Sequence, residues 1–403
     1  MNDDRKPAGD LDNRVWPVPF NRREAFKKHA YLYQQAACPV FVREGYVLAK
    51  ELSVRGSDRP IPSDESAITS LARGDGWVYG ATSGRRAHVF AYCTRPFHEV
   101  VIDMIALKEH TDIRNALAFL PASGLYAGTA NPSRDDYPGG EVLRLEPLPG
   151  MGDYNQEWGS SNCQAKSLGI PVAGEGVACL IGDPQRNRLY GLSGLTGTVF
   201  SVELPGGAIH CHGPIDPMSQ FSPQLILGPD GMVYGCGTVG RLMRFDPHTG
   251  AVDFTGLVLP SMAGRGQYFR IGAWAMDPVG GLIYAGDQAD GVLMAIDVRV
   301  PSARLLGKPT AGPHIRALAV ASDGRVYGFA GLRDTIGHLF CHDPRDGQMR
   351  DLGVIVAGTE KRWYGYEFDA AMAGDDGRIY LGESERVSHL FVYFPPMQNR
   401  TSI

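Results

Sequence analysis

A chain of 403 residues with 43% hydrophobic and 21% charged residues has enough apolar content for a large core, and its composition excludes a largely disordered protein. Its 51 glycines and 28 prolines suit many short strands joined by tight turns rather than helices. A net charge of −5 with no basic stripe argues against nucleic acid or an anionic membrane as the main partner.

Read from the N-terminus, residues 1–44 form an extension that opens with MNDDRKPAGDLDNR, polar and mixed in charge. It shows no apolar targeting core, and no run of about 18 apolar residues occurs anywhere in the chain. The seven cysteines are scattered without CxxC spacing, as in reduced thiols buried as small hydrophobes. A soluble, cytoplasmic protein is therefore expected. Next comes GYVLAKELSV, residues 45–54, a strand with no hairpin partner of its own. A phrase then recurs: DGWVYGAT, SGLYAGT, RNRLYGLS, DGMVYGCG, GGLIYAGD, DGRVYGFA and DGRIYLGE, with tyrosines at 79, 126, 190, 234, 284, 327 and 380. Self-similarity every roughly 40 to 60 residues marks a repeat architecture.

Each phrase follows a short, small-residue apolar run such as IRNALAFLP or IRALAVAS, read as a buried strand. A third strand follows, for example HVFAY, TVFSVE or HLFVYF, and a turn such as DPHTG or DPRDG leads to a fourth. Four antiparallel strands repeated seven times predict an all-β, seven-bladed β-propeller over residues 45–397, with a tail at 398–403. The last unit stops after HLFVYFPP, so the orphan N-terminal strand is expected to complete it: Tyr46–Val54 should pair with Ser388–Phe394 and close the ring. The innermost strands need small residues where they converge, and the recurring tyrosine is expected to pack between blades.

Ligands of closed β-structures favour the mouths. Aligning the units on their tyrosines places Ser66, Asp112, Glu175, Gln224, Arg270, His314 and Glu367 at the starts of the innermost strands. Charges there need partners, solvent, a ligand or a metal. Two stretches are denser. RGQYFRIG brings Tyr268 and Arg270 to the mouth, and KRWYGYEFD adds Arg362, Trp363, Tyr364, Tyr366 and Glu367, with His314 and Arg316 in the unit between. Arginines that fork a carboxylate, aromatics that face a sugar ring, and a His or Tyr that moves a proton are the parts needed for β-elimination from a uronic acid. In that reading Arg270 and Arg362 hold the acid, His314 and Tyr364 transfer protons, Trp363 or Tyr366 stacks on the ring, and Tyr268, Arg316 and Glu367 complete the binding surface. A second reading is a lactonase in which Asp112, Glu175 and Glu367 hold a divalent cation that activates water. A third is a non-catalytic platform whose aromatic loops bind a protein partner. Asp135 and Asp136 match no calcium loop and are expected to be solvated. His88, His338 and His389 share one repeat position, and separate structural roles are expected for them.

In its sevenfold DG-apolar-Tyr-Gly phrase and HLFxY third strand the chain resembles the seven-bladed propellers. It lacks the GH…WD signature of WD40 repeats and the paired glycines of kelch repeats. In style it is similar to bacterial propeller enzymes that cleave acidic glycans. That resemblance implies a saccharide ligand and His, Tyr and Arg on one face of the ring.

Overall fold

The computed structural model describes residues 42, 44–52, 61–95, 101–131, 136–147, 163–218, 220–331, 337–358, 362–385 and 387–396. Residues 1–41 of the N-terminal extension, the tail 398–403, Val54 and Asp135 lie outside them, and of Arg362 only the backbone is described.

Seven four-stranded antiparallel sheets form the blades. Blade 1 runs outward from the axis through Ala67–Gly74, Trp77–Ser83, Ala87–Cys93 and Val101–Leu107. Blades 2 to 6 repeat that order, the sixth with Ile315–Val320, Val326–Ala330, His338–His342 and Met349–Val354. Blade 7 is composite: Phe368–Ala373, Ile379–Glu383 and His389–Phe394 take Tyr46–Glu51 as their fourth strand. The register runs from Tyr46↔Phe394 to Glu51↔His389, the pairing expected to close the ring. Innermost strands of consecutive blades touch all the way round, and that of blade 7 meets that of blade 1. A short hairpin of Val356–Gly358 and Arg362–Tyr364 sits between blades 6 and 7, where sequence patterning suggests only a loop.

The recurring phrase has a physical reason at each position. All seven tyrosines are buried, and most stack on a ring of the following blade: Tyr79 on Phe119, Tyr190 on Phe245, Tyr284 on His342, Tyr327 on Tyr393 and Tyr380 on Tyr92. The preceding Asp-Gly is a turn with Gly231 at φ +76° and Gly377 at φ +77°, which favours glycine. Its carboxylate closes the unit. Tyr234 Oη donates to Asp230 at 2.7 Å and Tyr380 Oη to Asp376 at 2.6 Å, while the same carboxylates accept the backbone N–H of Met232 and Arg378. The glycine after the tyrosine makes room for the third strand: a Cβ at Gly80, Gly191 or Gly328 would land on the ring of Phe90, Phe200 or Phe340, its direct cross-strand partner. Phrase and third-strand aromatic are therefore one packing unit. Among the described residues no helix is long and apolar enough to cross a membrane.

Candidate functional site

All innermost strands begin at one mouth of the axial channel. Among the described residues, six of the seven shift register near that end. A β-bulge leaves one residue unpaired and re-aims its side chain. In blades 6 and 7 that residue is Arg316 and Asp369, whereas in blades 1, 3 and 5 it is Thr69, Ala178 and Gly272.

The charged bulge residues join groups from a third blade. Arg316 reaches Glu367 Oε1 at 2.6 Å through Nη1 and Asp369 Oδ1 at 3.0 Å through Nη2. Arg114, entering blade 2, reaches Asp369 Oδ2 at 2.5 Å and Asp112 at 3.7 Å. Asp112 also accepts the Ser83 hydroxyl. Blade 1, lying between blades 7 and 2, turns hydroxyls to blade 2 here: Thr69 Oγ1 donates to the Ile113 carbonyl at 2.8 Å and Ser70 Oγ accepts the Leu117 N–H at 3.0 Å. Burial works against the Arg114 charge, and the neighbouring Asp369 and Asp112 more than offset it. Two guanidiniums thus face three carboxylates, an excess of one negative charge.

Arg316 and Asp369 also line an axial cavity of about 210 Å³, to which every blade contributes, among them Asn115, Gln224 and Trp274. Gln224 Nε2 crosses to the Gly272 carbonyl at 2.6 Å. Trp274 Nε1 and His314 Nδ1 are buried with no hydrogen-bond partner among the described residues. His314 holds φ +63°, a left-handed conformation uncommon for a non-glycine residue. Burial, and then the Arg316 charge, lower its pKa, so the imidazole is neutral near pH 7.

Of the residues singled out from sequence, Asp112, His314, Arg316 and Glu367 are brought to this mouth. Arg270 is exposed and makes no ion pair or side-chain hydrogen bond among the described residues. Tyr268 is 55% exposed, with the Arg265 guanidinium over its ring. Two expectations need correction. Trp363 is only 7% exposed, packed in the core against the His389 ring, and Tyr366 is 2% exposed, so neither offers a free face to a sugar. Tyr364 is half-buried in the added hairpin. Asp136 is exposed.

The three carboxylates considered for a metal have separate duties. Glu175 clamps the blade 3 loop by accepting the backbone N–H of Leu195 and Thr196 at 3.0 and 2.9 Å. Burial raises its pKa, but hydrogen bonds from Ser193, Thr196 and Leu195 bring it below the usual value. Glu367 is paired with Arg316, and Asp112 with Ser83 and Arg114. No group of three or more His, Cys, Asp or Glu side chains among the described residues is placed to hold a metal. The histidines of the shared position also keep apart: His88 meets Glu65 and Asp103, His338 meets Asp351, and His389 meets Glu383.

Sequence reasoning missed Arg114, Asp369 and Trp274. A signal for the first two was present: DIRNALA and HIRALA share Ile-Arg before the apolar run, and EFDAA carries Asp in the same place. Alignment on the tyrosines marks the strand's entry, where Asp112 and Glu367 stand, and the arginines and Asp369 that meet them lie two residues further in.

No family model matches the chain, and no curated protein matches it. Among solved structures, the WD40 β-propeller domain of Doa1 superposes with a TM-score of 0.53 at 10% identity, over 88% of this chain and 99% of that one. The extracellular domain assigned to the hybrid two-component system BT4673 of B. thetaiotaomicron gives a TM-score of 0.54 at 12% identity over 86% of this chain. The chain spans 40% of that structure's length. Likeness at this identity is a likeness of fold alone: the protein is a seven-bladed β-propeller.

Proposed function

We propose that the protein is a ligand-binding propeller that takes a small, hydroxyl-rich, saccharide-like molecule at the axial mouth, over Arg114, Arg316, Glu367 and Asp369. What carries this reading is the alternating guanidinium–carboxylate chain drawn from three blades beside the axial cavity. Fixed ion pairs keep spare lone pairs and N–H groups, which suit hydroxyls that both donate and accept. The excess carboxylate disfavours an additional acid at this spot. A uronate would have to be met by the unpaired Arg270 instead, away from the network.

One observation favours chemistry as a second reading. The His314 imidazole is neutral, its buried Nδ1 has no hydrogen-bond partner among the described residues, and it stands next to Arg316, so it could serve as a base once substrate reaches it. Elimination from a uronate would convert a C–H and a C–O bond into a conjugated C=C, with the proton passing to His314 and the leaving sugar oxygen protonated by water or Tyr364.

Thermal shift and calorimetry with neutral and uronate oligosaccharides test both readings. Stabilisation by neutral sugars that is lost in Arg316→Met supports the binding reading. Stabilisation only by uronates, lost in Arg270→Met, replaces it with the acidic-sugar reading, and an ultraviolet absorbance rise abolished in His314→Ala adds the lyase step. No shift with either class rejects a saccharide at this mouth.

A further inference from the structure

The loops around the same mouth are not uniform. On blades 3 to 5 four consecutive turns leave apolar side chains in water: Leu195 at 74%, Met218 at 72%, Val239 at 46% and Tyr268 at 55% exposure. Single exposed apolar residues need no explanation, but a contiguous set does.

These turns are contiguous and fixed to one another. The turn after Leu195 packs on the segment that carries Met218, since a Cβ at Gly197 would crowd Phe221 and Ile215. The fully buried Asp216 accepts the Met218 N–H at 2.9 Å and the Thr238 N–H at 2.7 Å, joining that segment to the turn Thr238–Gly240. Thr238 Oγ1 also donates to the Gln220 carbonyl at 3.0 Å. The turn Gly266–Tyr268 then leans on Thr238–Gly240, and the Leu259 N–H donates to the Gly240 carbonyl at 2.8 Å. A buried carboxylate thus holds an exposed apolar arc in one shape.

Val239 is the least expected member. A β-branched residue at φ +58° is a conformational outlier, and its side chain is half exposed, with Cγ1 beside Gly266 of the next turn. Such outliers persist only where the surrounding structure holds them in place, here through the fixed turns on either side.

Charge identifies what the arc fits. Arg241 and Arg270 flank it, both exposed and without an ion pair among the described residues, and Arg265 stands beside Tyr268. The carboxylates of the same loops, Glu175, Asp216, Asp287 and Asp290, are all buried and engaged by backbone N–H groups or, for Asp290, by Arg265. The side chains this rim exposes are therefore apolar or cationic, its carboxylates lying underneath, although the whole chain carries −5.

We propose that the rim of blades 3 to 5 docks a segment of a protein partner in which acidic residues flank an aromatic or aliphatic anchor, the anchor on Met218, Val239 and Tyr268 and the carboxylates on Arg241 and Arg270. This surface is separate from the axial network, and occupancy of one does not require the other. The fixed turns reduce the ordering cost of binding.

The test is selection of random 12-residue peptides displayed on phage by the full chain, followed by fluorescence polarisation of the enriched peptides. Enrichment of acidic peptides with Trp, Phe or Leu, bound at least tenfold more weakly by Arg241→Glu/Arg270→Glu and more weakly at high salt, is the expected result. Val239→Gly separates docking from folding: it should raise the melting temperature by relieving the strained backbone while weakening the same peptides several-fold. No enrichment over a blank support, enrichment of basic or neutral peptides, or binding unchanged in both variants overturns the proposal. Self-association in sedimentation that disappears in Met218→Asp also overturns it, by making a second copy the occupant.

Discussion

Blades 2, 6 and 7 and blades 3, 4 and 5 share one backbone plan and differ in what they present at the mouth. In the first group the residues re-aimed to the axis are Arg316 and Asp369, met by Arg114. In the second the equivalent places hold Ala178 and Gly272, with a single neutral hydrogen bond from Gln224 across to the Gly272 carbonyl. The apolar exposure runs the other way, with Leu195, Met218, Val239 and Tyr268 all on blades 3 to 5. Beneath both groups the buried tyrosine recurs in every blade, while the glycine–phenylalanine fit is found in blades 1, 3 and 6 and the tyrosine–carboxylate hydrogen bond in blades 3, 4 and 7. A repeat fold therefore keeps its energetics in the repeated positions and is free to place different chemistry on each arc of the same face.

The sharpest way to break this comparison is at Asp369, whose side chain is 7% exposed and shared by two guanidiniums. Asp369→Ala should lower stability by about 2–4 kcal/mol, because two partly buried cations lose their common acceptor. Adding Arg114→Met, Arg316→Met, Glu367→Met and Asp112→Asn should recover most of the loss, since removing every partner of a polar network costs less than removing one. Gln224→Ala on the opposite arc should cost only about 1 kcal/mol. Urea midpoints of the four proteins measure all of this, and equal losses for Asp369→Ala and Gln224→Ala would dissolve the distinction between the arcs.

The shared part of the plan is tested at the glycines after the tyrosines. Gly80→Ala, Gly191→Ala and Gly328→Ala force a Cβ onto Phe90, Phe200 and Phe340. Each should cost about 1–3 kcal/mol by overpacking, whichever arc it stands on. A strong dependence on blade would mean that the repeats are less alike in packing than in sequence.

Repeated features were legible in the sequence and single ones were not. Seven copies of one phrase reveal the blades, and the missing partner of Tyr46–Glu51 reveals how the ring closes. The aromatic stretch KRWYGYEFD misled because aromatic residues look alike whether they face solvent or core. Its backbone forms an extra hairpin that turns Trp363 inward. The single-residue bulge of five inner strands carries no residue signature, being occupied by Thr, Ala, Gly, Arg and Asp in turn, so the step that re-aims Arg316 and Asp369 could not be read from spacing. Arg114 was closer to view through the Ile-Arg it shares with Arg316.

The smallest expected effect concerns three residues at one repeat position that do different work. His88 lies in blade 1 between the buried Glu65 and Asp103, at 2.8 and 3.3 Å, with Arg85 and Arg86 also reaching Glu65. Burial opposes its charge, but hydrogen bonds and charge from Asp103 and Glu65 outweigh that, and its pKa is raised. A base whose folded pKa lies above its unfolded value stabilises the fold fully below about pH 6.5 and loses that contribution as pH rises through the folded pKa. His88→Gln should therefore narrow the stability gap to wild type as pH is raised from about 5.5 to 8. His389, one blade back, meets Glu383 at 3.0 Å and is wedged against Trp363, so His389→Gln should lose packing at every pH. Melting temperatures of both variants across that range decide it: a gap for His88→Gln that stays constant or widens with pH would mean that its carboxylate partners do not hold the charge, and that the shared position is filled by histidine for its shape alone.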